Sequence, residues 1–500
     1  MCSSDLVGLF LLARLLGVGR WPAVLAALTF AFAPHSLGEA FNGNVEALNT
    51  CWLPLWLWAL VRALRWPGKG AAVLAGVALW LLLLANQYWA LAMVPVSAAV
   101  AAWELWRARE AGRLGAAALA LASAVGLGLL LFSPAAYAIM SNLGAGDKIN
   151  APFVPGGDTP LTPPYVSDLL HLVRPLAPLT HQAVVPPFQD IVYPGLLLAL
   201  CALAAPVLGP REGWRWWWPV GGLAFVVLSL GPALSIDGQL VGHPEATVWL
   251  PWQYLVRGTP VLGSMTLPHR MAVPAALFLS LGLAWTAQGL WSRRRAGAVA
   301  AAALSVAALA EILFYPPYQL PLATTEVKEA AHARLLGALK APGAVLNLPF
   351  DRGTHDQRVF LWHQAVHGRP IGQTLRTTEP PSIVQKIPLL WRFAGPLGRQ
   401  RLADHEKDPA DPWGKARLQK AGYGFVVLHG SFLKARAGES LAGWSRKLWP
   451  VLGHGLVLEE GVVLFALDAA ARKEMTARGR AVLGDAAVRG STAQVHGGGP

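Results

Sequence analysis

Between residues 6 and 314 the chain is a succession of ten apolar runs: roughly 6–17, 20–34, 50–64, 71–85, 89–106, 116–137, 191–209, 216–234, 271–290 and 297–314. A helix that crosses a bilayer needs about 20 mainly apolar residues, with a usual range of about 17–25. Several runs are shorter, so the second and third are expected to tilt, break or re-enter. The chain is only 14% charged and has a mean hydropathy of +0.42, where a soluble domain is about a quarter charged. An integral membrane protein follows.

Charge placement sets the expected orientation. Arg14, Arg20, Arg62, Arg65, Lys69, Arg107, Arg109, Arg113, Arg211, Arg215 and Arg293 to Arg295 lie in or close beside breaks that recur after every second run. Only Lys148, Arg174, Arg257 and Arg270 lie in the other breaks. This is the positive-inside pattern. It places 35–49, 86–88, 138–190, 235–270 and everything after 314 on the outer face. The net charge of +13 therefore reflects cytoplasmic anchoring and a solvated surface, and no nucleic-acid partner is expected. Cys2, Cys51 and Cys201 are too far apart in sequence to suggest a disulfide framework or a cysteine metal site.

Residues 315–472 have ordinary soluble composition. "GAVLNLPF", "YGFVVLHG" and "GVVLFAL" read as buried strands bounded by Gly and Pro. "TTEVKEAAHARLLGALK" reads as an amphipathic helix, with Val327, Ala331, Leu335 and Leu339 at helical spacing. The expected fold is thus an all-α polytopic membrane domain over 1–314, with about ten transmembrane helices, then a small extracytoplasmic α/β domain. The tail from 473 to 500 is expected to be disordered.

Five stretches carry candidate chemistry. "HSLGEAFNGNVEALN" is either a wet connector or the rim of an outward cavity lined by Glu39, Asn44 and Glu46. Gln87 and Tyr88 form a polar, aromatic tip at the same face. The long break 138–190 holds "YVSDLLHLV", an amphipathic piece in which Asp168 lies near Arg174 and could serve acid–base chemistry. "RGTPVLGSMTLPHRMAV" sets Arg257, His269 and Arg270 just before a spanning run. Interfacial anchoring is the plain alternative, but that position runs against the charge rule and the Arg fork suits phosphate, so lipid-phosphate binding is the favoured reading. In "DRGTHDQRVFLWHQAVHGRP", His363 and His367 share a helix face, and Asp351, His355 and Asp356 are near. Gln364 replaces the Glu of the zinc-protease motif, so a structural metal is the minor reading and no metal site is expected. No cofactor is required, and a divalent metal has no motif to support it.

The order of these pieces resembles the polytopic bacterial membrane glycosyltransferases of the GT-C superfamily. "LTFAFAPHSLGEAFNGNVEALNTCWLPLWLWALVRAL", "YVSDLLHLVRP", "QDIVYPGLLLAL", "LSLGPALSIDG" and "TLPHRMAV" look like successive elements of that layout. "VLNLPF", "HGRPIG" and "LQKAGYGFVVLH" look like its C-terminal domain. The resemblance implies a multi-pass protein of the bacterial inner membrane. It implies a polyprenyl-phosphate-linked sugar as donor and an envelope glycan, lipid or protein as acceptor. Arg257, Arg270 and His269 would bind the lipid phosphate, and Asp168 and Glu46 would support the acceptor. The family's essential carboxylate lies in a first outer loop that nothing here matches, so a helix and its loop are expected upstream of "MCSSDL". The rival classes are a noncatalytic envelope-assembly protein and a transporter or lipid flippase. Apolar runs almost free of charge argue against the transporter.

Overall fold

The structure, a computed structural model, describes residues 3–41, 49–144, 166–173, 192–211, 213–242, 247–258, 267–293, 295–315, 329–348, 354–371, 414–430, 441–458, 461–483 and 488–489. The chain divides into two compact units, Met1–Thr324 and Thr325–Pro500.

The first unit is helical. Its helices are α1 (Ser3–Leu15), α2 (Arg20–Ala31), α3 (Pro34–Phe41), α4 (Trp52–Arg65), α5 (Lys69–Ala85), α6 (Gln87–Glu110), α7 (Leu114–Gly144), α8 (Leu196–Leu208), α9 (Trp217–Ser229), α10 (Pro251–Gly258), α11 (Ala272–Trp291) and α12 (Arg295–Phe314). An apolar run with no polar partners in its surroundings must satisfy its backbone internally, and the helix does so. Basic residues in the last turns of α1, α4 and α6 (Arg14; Arg62 and Arg65; Arg107 and Arg109) complement the negative helix ends.

Every apolar run contains a helix, but the expected ten crossings are not shown. Four helical stretches are long and apolar enough: Gln87–Glu110, Leu114–Ser141, Pro268–Trp291 and Arg295–Phe314. A fifth arises if Arg20–Ala31 and Pro34–Ala40, bent by 42°, count as one span. The shortfall is one of length. The 13 residues of α8 or α9 reach only about 20 Å at 1.5 Å per residue, against a hydrocarbon core of about 30 Å.

Helix α11 is the centre of this unit, packed against α2, α8 and α9. Small residues allow the approach of α8: a Cβ on Gly282 would lie 2.6 Å from Ala202 Cβ, and one on Gly289 would overlap the Leu208 carbonyl oxygen. By contrast α7 and α12 are peripheral and turn Leu119, Leu130, Met140, Val299 and Val306 outward, as lipid-facing helices do. At one end of the bundle, Arg65 of α4 donates to both oxygens of Glu104 on α6 and to the Leu15 carbonyl of α1 at 2.8 Å. Elsewhere Glu311 of α12 accepts from Leu196 N (2.6 Å), Leu197 N (2.8 Å) and the Tyr193 hydroxyl, so it caps α8 from a neighbouring helix.

The second unit is α/β. Its sheet order is β3 (Ala344–Leu348), β4 (Tyr423–His429), β6 (Val462–Ala466), β5 (Leu456–Leu458), β7 (Val488–Arg489); β3 and β4 are parallel and the other pairs antiparallel. Alternation along the strands separates two faces. Leu346, Leu348, Val426 and Leu428 pack with α16 (Leu441–Leu452) and with Leu418 of α15 (Lys415–Lys420). Val345, Phe425 and Val427 pack with α13 (Ala331–Ala338) and α17 (Ala469–Leu483). Helix α14 (Thr354–His367) lies against α13. The Arg369 guanidinium donates to the carbonyls of Leu336 (2.8 Å), Ala341 (2.7 Å) and Leu339 (2.7 Å), closing the C-terminal end of α13. The three expected strands are present. The expected disordered tail is corrected in part: α17 runs to Leu483 and β7 pairs with β5. Ala471, Met475 and Gly479 explain it, since they recur every four residues and bury one face of α17.

Candidate functional site

Three elements of the first unit bring sequence-singled residues together. Asn86 caps α6, its side-chain oxygen accepting from Tyr88 N at 2.9 Å, and this fixes Tyr88 in the first helical turn. A 3-10 turn, Pro268–Met271, leads into α11 and packs on α6 and α9. There the Arg270 guanidinium carbon lies 5.0 Å from the centre of the Tyr88 ring, a cation–π contact. His269, on the same turn, has its ring 5.7 Å from that of His35 on α3. Glu39 is one helical turn beyond His35, on the same side of α3.

The group is buried. His35 and Glu39 are 2% exposed, His269 3%, Arg270 4% and Tyr88 8%. Burying a guanidinium and a carboxylate at one end of a helix bundle is costly unless they serve each other or a ligand. Of the other predicted rim residues, Gln87 is exposed. Asn44 and Glu46 lie outside the described residues, as do Arg174, Asp351 and the side chains of Arg257, His355 and Asp356. His35 was not singled out by sequence; its only signal was its place in "APHSLGEA" beside Glu39.

Asp168 has a different setting. Its Oδ1 accepts from Leu170 N at 2.9 Å, capping the 3-10 turn Leu169–Leu172. Its Oδ2 accepts from Ser235 Oγ at 3.0 Å and Gly238 N at 2.8 Å. Those two residues belong to a hairpin of β1 (Ser235–Ile236) and β2 (Gln239–Leu240), whose loop residues Asp237 and Gly238 have φ of 53° and 76°. Asp168 thus clamps a turn to a hairpin. His171, on that turn, is buried, and desolvation lowers its pKa despite the nearby Asp168.

In the second unit His363 is not paired with His367 as its helical spacing suggested. His367 Nδ1 instead accepts from Arg369 N at 3.0 Å. His363 of α14 meets His332 of α13 and His429 at the end of β4, and one ring nitrogen from each lies within 4.8 Å of the others. These three could hold a metal ion, and sequence reasoning missed two of them. No protein-family model, curated protein or solved structure matches this chain.

Proposed function

We propose that the protein is an integral membrane glycosyltransferase of the GT-C kind, binding a polyprenyl-phosphate-linked sugar at the end of the bundle where Arg270, His269, His35, Glu39 and Tyr88 meet. In this reading all ten helical runs belong to the membrane-embedded bundle, with basic connectors cytoplasmic and the second unit outside the inner membrane. The acceptor is an envelope glycan, lipid or protein.

The observation that carries the reading is Arg270 itself. It is 4% exposed, at the entrance to the most buried helix of the bundle, and held against Tyr88. Ionisable groups kept inside a membrane bundle are functional by default, and the Arg fork matches phosphate oxygens. Fixed beside the leaving phosphate, Arg270 and His269 would stabilise charge as the bond from the anomeric carbon to the phosphate oxygen breaks. The acceptor hydroxyl attacks that carbon and gives up its proton to a carboxylate. Glu39, 2% exposed and one helical turn from His35 on α3, is the carboxylate assigned to that role. Asp168, already accepting three hydrogen bonds, is a positioning residue for the outer hairpin.

Native mass spectrometry of the purified chain with polyprenyl phosphate and with the uncharged polyprenol tests the reading. Selective retention of the phosphate is expected. Equal retention of the two lipids would reject a phosphate site.

A further inference from the structure

We propose that the second unit binds one divalent transition-metal ion, zinc by preference, through His332, His363 and His429, with Asn347 supporting the site and water or an anion in the fourth position. The inference is independent of the membrane site.

The sheet builds the arrangement. Alternation along β3 gives Val345 and Asn347 one face, and along β4 it gives Phe425, Val427 and His429 the same face. The row is apolar until its end, where Asn347 and His429 replace aliphatic residues. Helix α13 lies on that face and supplies His332 from its first turn; α14 supplies His363 from its last turns. The three imidazoles therefore come from three separate elements. They are 2%, 8% and 3% exposed for His332, His363 and His429.

The distances fit a metal. Zinc–imidazole bonds of about 2.0–2.1 Å at tetrahedral angles put ligand nitrogens about 3.3 Å apart. His332 Nε2 and His363 Nδ1 are 3.2 Å apart. The third nitrogen is within 4.8 Å, close enough for a small swing of one imidazole to complete the set. The His332 ring stands at 90° to His363 and 82° to His429, and the last two rings are nearly parallel at 10°. Asn347 Oδ1 is 3.0 Å from His429 Nε2, the kind of outer partner that fixes the orientation of a ligating imidazole. Three imidazole nitrogens favour an ion that accepts such ligands readily, zinc among the common ones. They also leave its double charge uncompensated, which suits a hydroxide or other anion as fourth ligand.

The test uses the full chain, purified in detergent without a polyhistidine tag, stripped with a chelator and dialysed against zinc. Elemental analysis should find about one zinc per chain. His332→Ala/His363→Ala should lose it, His454→Ala should keep it, and Asn347→Ala should weaken affinity about 10- to 100-fold. If the double variant fails to fold, cobalt(II) loaded into the unaltered chain is the readout, and the intense visible absorption of a four-coordinate ion is expected. A chain that retains no zinc, zinc retained equally by the double variant, or an octahedral cobalt spectrum would each overturn the site. Such results would leave three histidines packed by hydrogen bonding alone.

Discussion

Replacing Glu104 with Ala should destabilise the first unit more than any surface charge change. Glu104 is 2% exposed, and Arg65 is 19% exposed. Arg65 Nε lies 3.1 Å from each carboxylate oxygen, and a terminal nitrogen lies 2.7 Å from Oε1. Arg107 adds a weaker contact at 3.8 Å. Breaking a buried pair costs about 3–5 kcal/mol because the remaining charge is stranded. In Glu104→Ala the stranded Arg65 still reaches water and the Leu15 carbonyl, so the cost is set lower, at about 2–3 kcal/mol. In Arg65→Ala the stranded group is the deeper carboxylate, and the cost is about 3–5 kcal/mol. The double variant should cost less than the sum, with a coupling of at least about 1.5 kcal/mol. Equilibrium unfolding of all four proteins in the same mixed micelles measures it. A coupling below about 0.5 kcal/mol, the value for an exposed pair, would refute a linkage of α1, α4 and α6 through this contact.

Two further outcomes follow from polar contacts away from the proposed sites. Glu311→Ala removes the acceptor for two backbone N–H groups at the start of α8 and should cost about 2 kcal/mol. Amide exchange faster at Leu196 and Leu197 than in the rest of α8 would locate the effect there, and unchanged exchange would contradict it. In the second unit, backbone N–H donors hold the carboxyls of Asp468 (from Ala471 and Ala470) and Glu474 (from Lys340, then Ala341) below their ordinary 3.8 and 4.5. Their stabilisation is full above those ordinary values and is lost as pH falls through the lowered ones. Melting followed from pH 6 to about pH 2.5 should show a loss below about pH 4.5 that is smaller in Asp468→Asn/Glu474→Gln; an equal loss in that variant would contradict the assignment.

Local patterns were legible in the sequence, and contacts between distant segments were not. Apolar runs announced the helices of the first unit, and the short runs bounded by Gly and Pro in "GAVLNLPF" and "YGFVVLHG" announced β3 and β4. Crossing length was less legible, because hydropathy marks a helix without fixing where it stops: α8 and α9 end after 13 residues. Asp168 looked like a catalytic acid beside a membrane. Its hydrogen bonds to Ser235 and Gly238, residues 67 and 70 positions away, add a clamping contact that the sequence did not report. The zinc-protease template directed attention to His363 and His367 because they are four apart. The packing of α13, α14 and the end of β4 instead joins His363 to His332 and His429, separations that helical periodicity does not report. Arg270, His269 and Tyr88 were individually visible as misplaced charge and interfacial aromatic, but only the packing of the Pro268–Met271 turn on α6 brings Arg270 against Tyr88.

The most direct test of the proposed function is the affinity of the chain in nanodiscs for polyprenyl phosphate, measured for the unaltered protein, Arg270→Lys and Arg270→Ala. A charge-assisted hydrogen bond contributes about 1.5–3 kcal/mol. Arg270→Ala should therefore bind the phosphate about 10- to 100-fold more weakly while its affinity for polyprenol is unchanged, with Arg270→Lys in between. Undiminished phosphate binding by Arg270→Ala, in a protein whose melting temperature is preserved, would contradict the assignment of this buried cluster as the lipid-phosphate site.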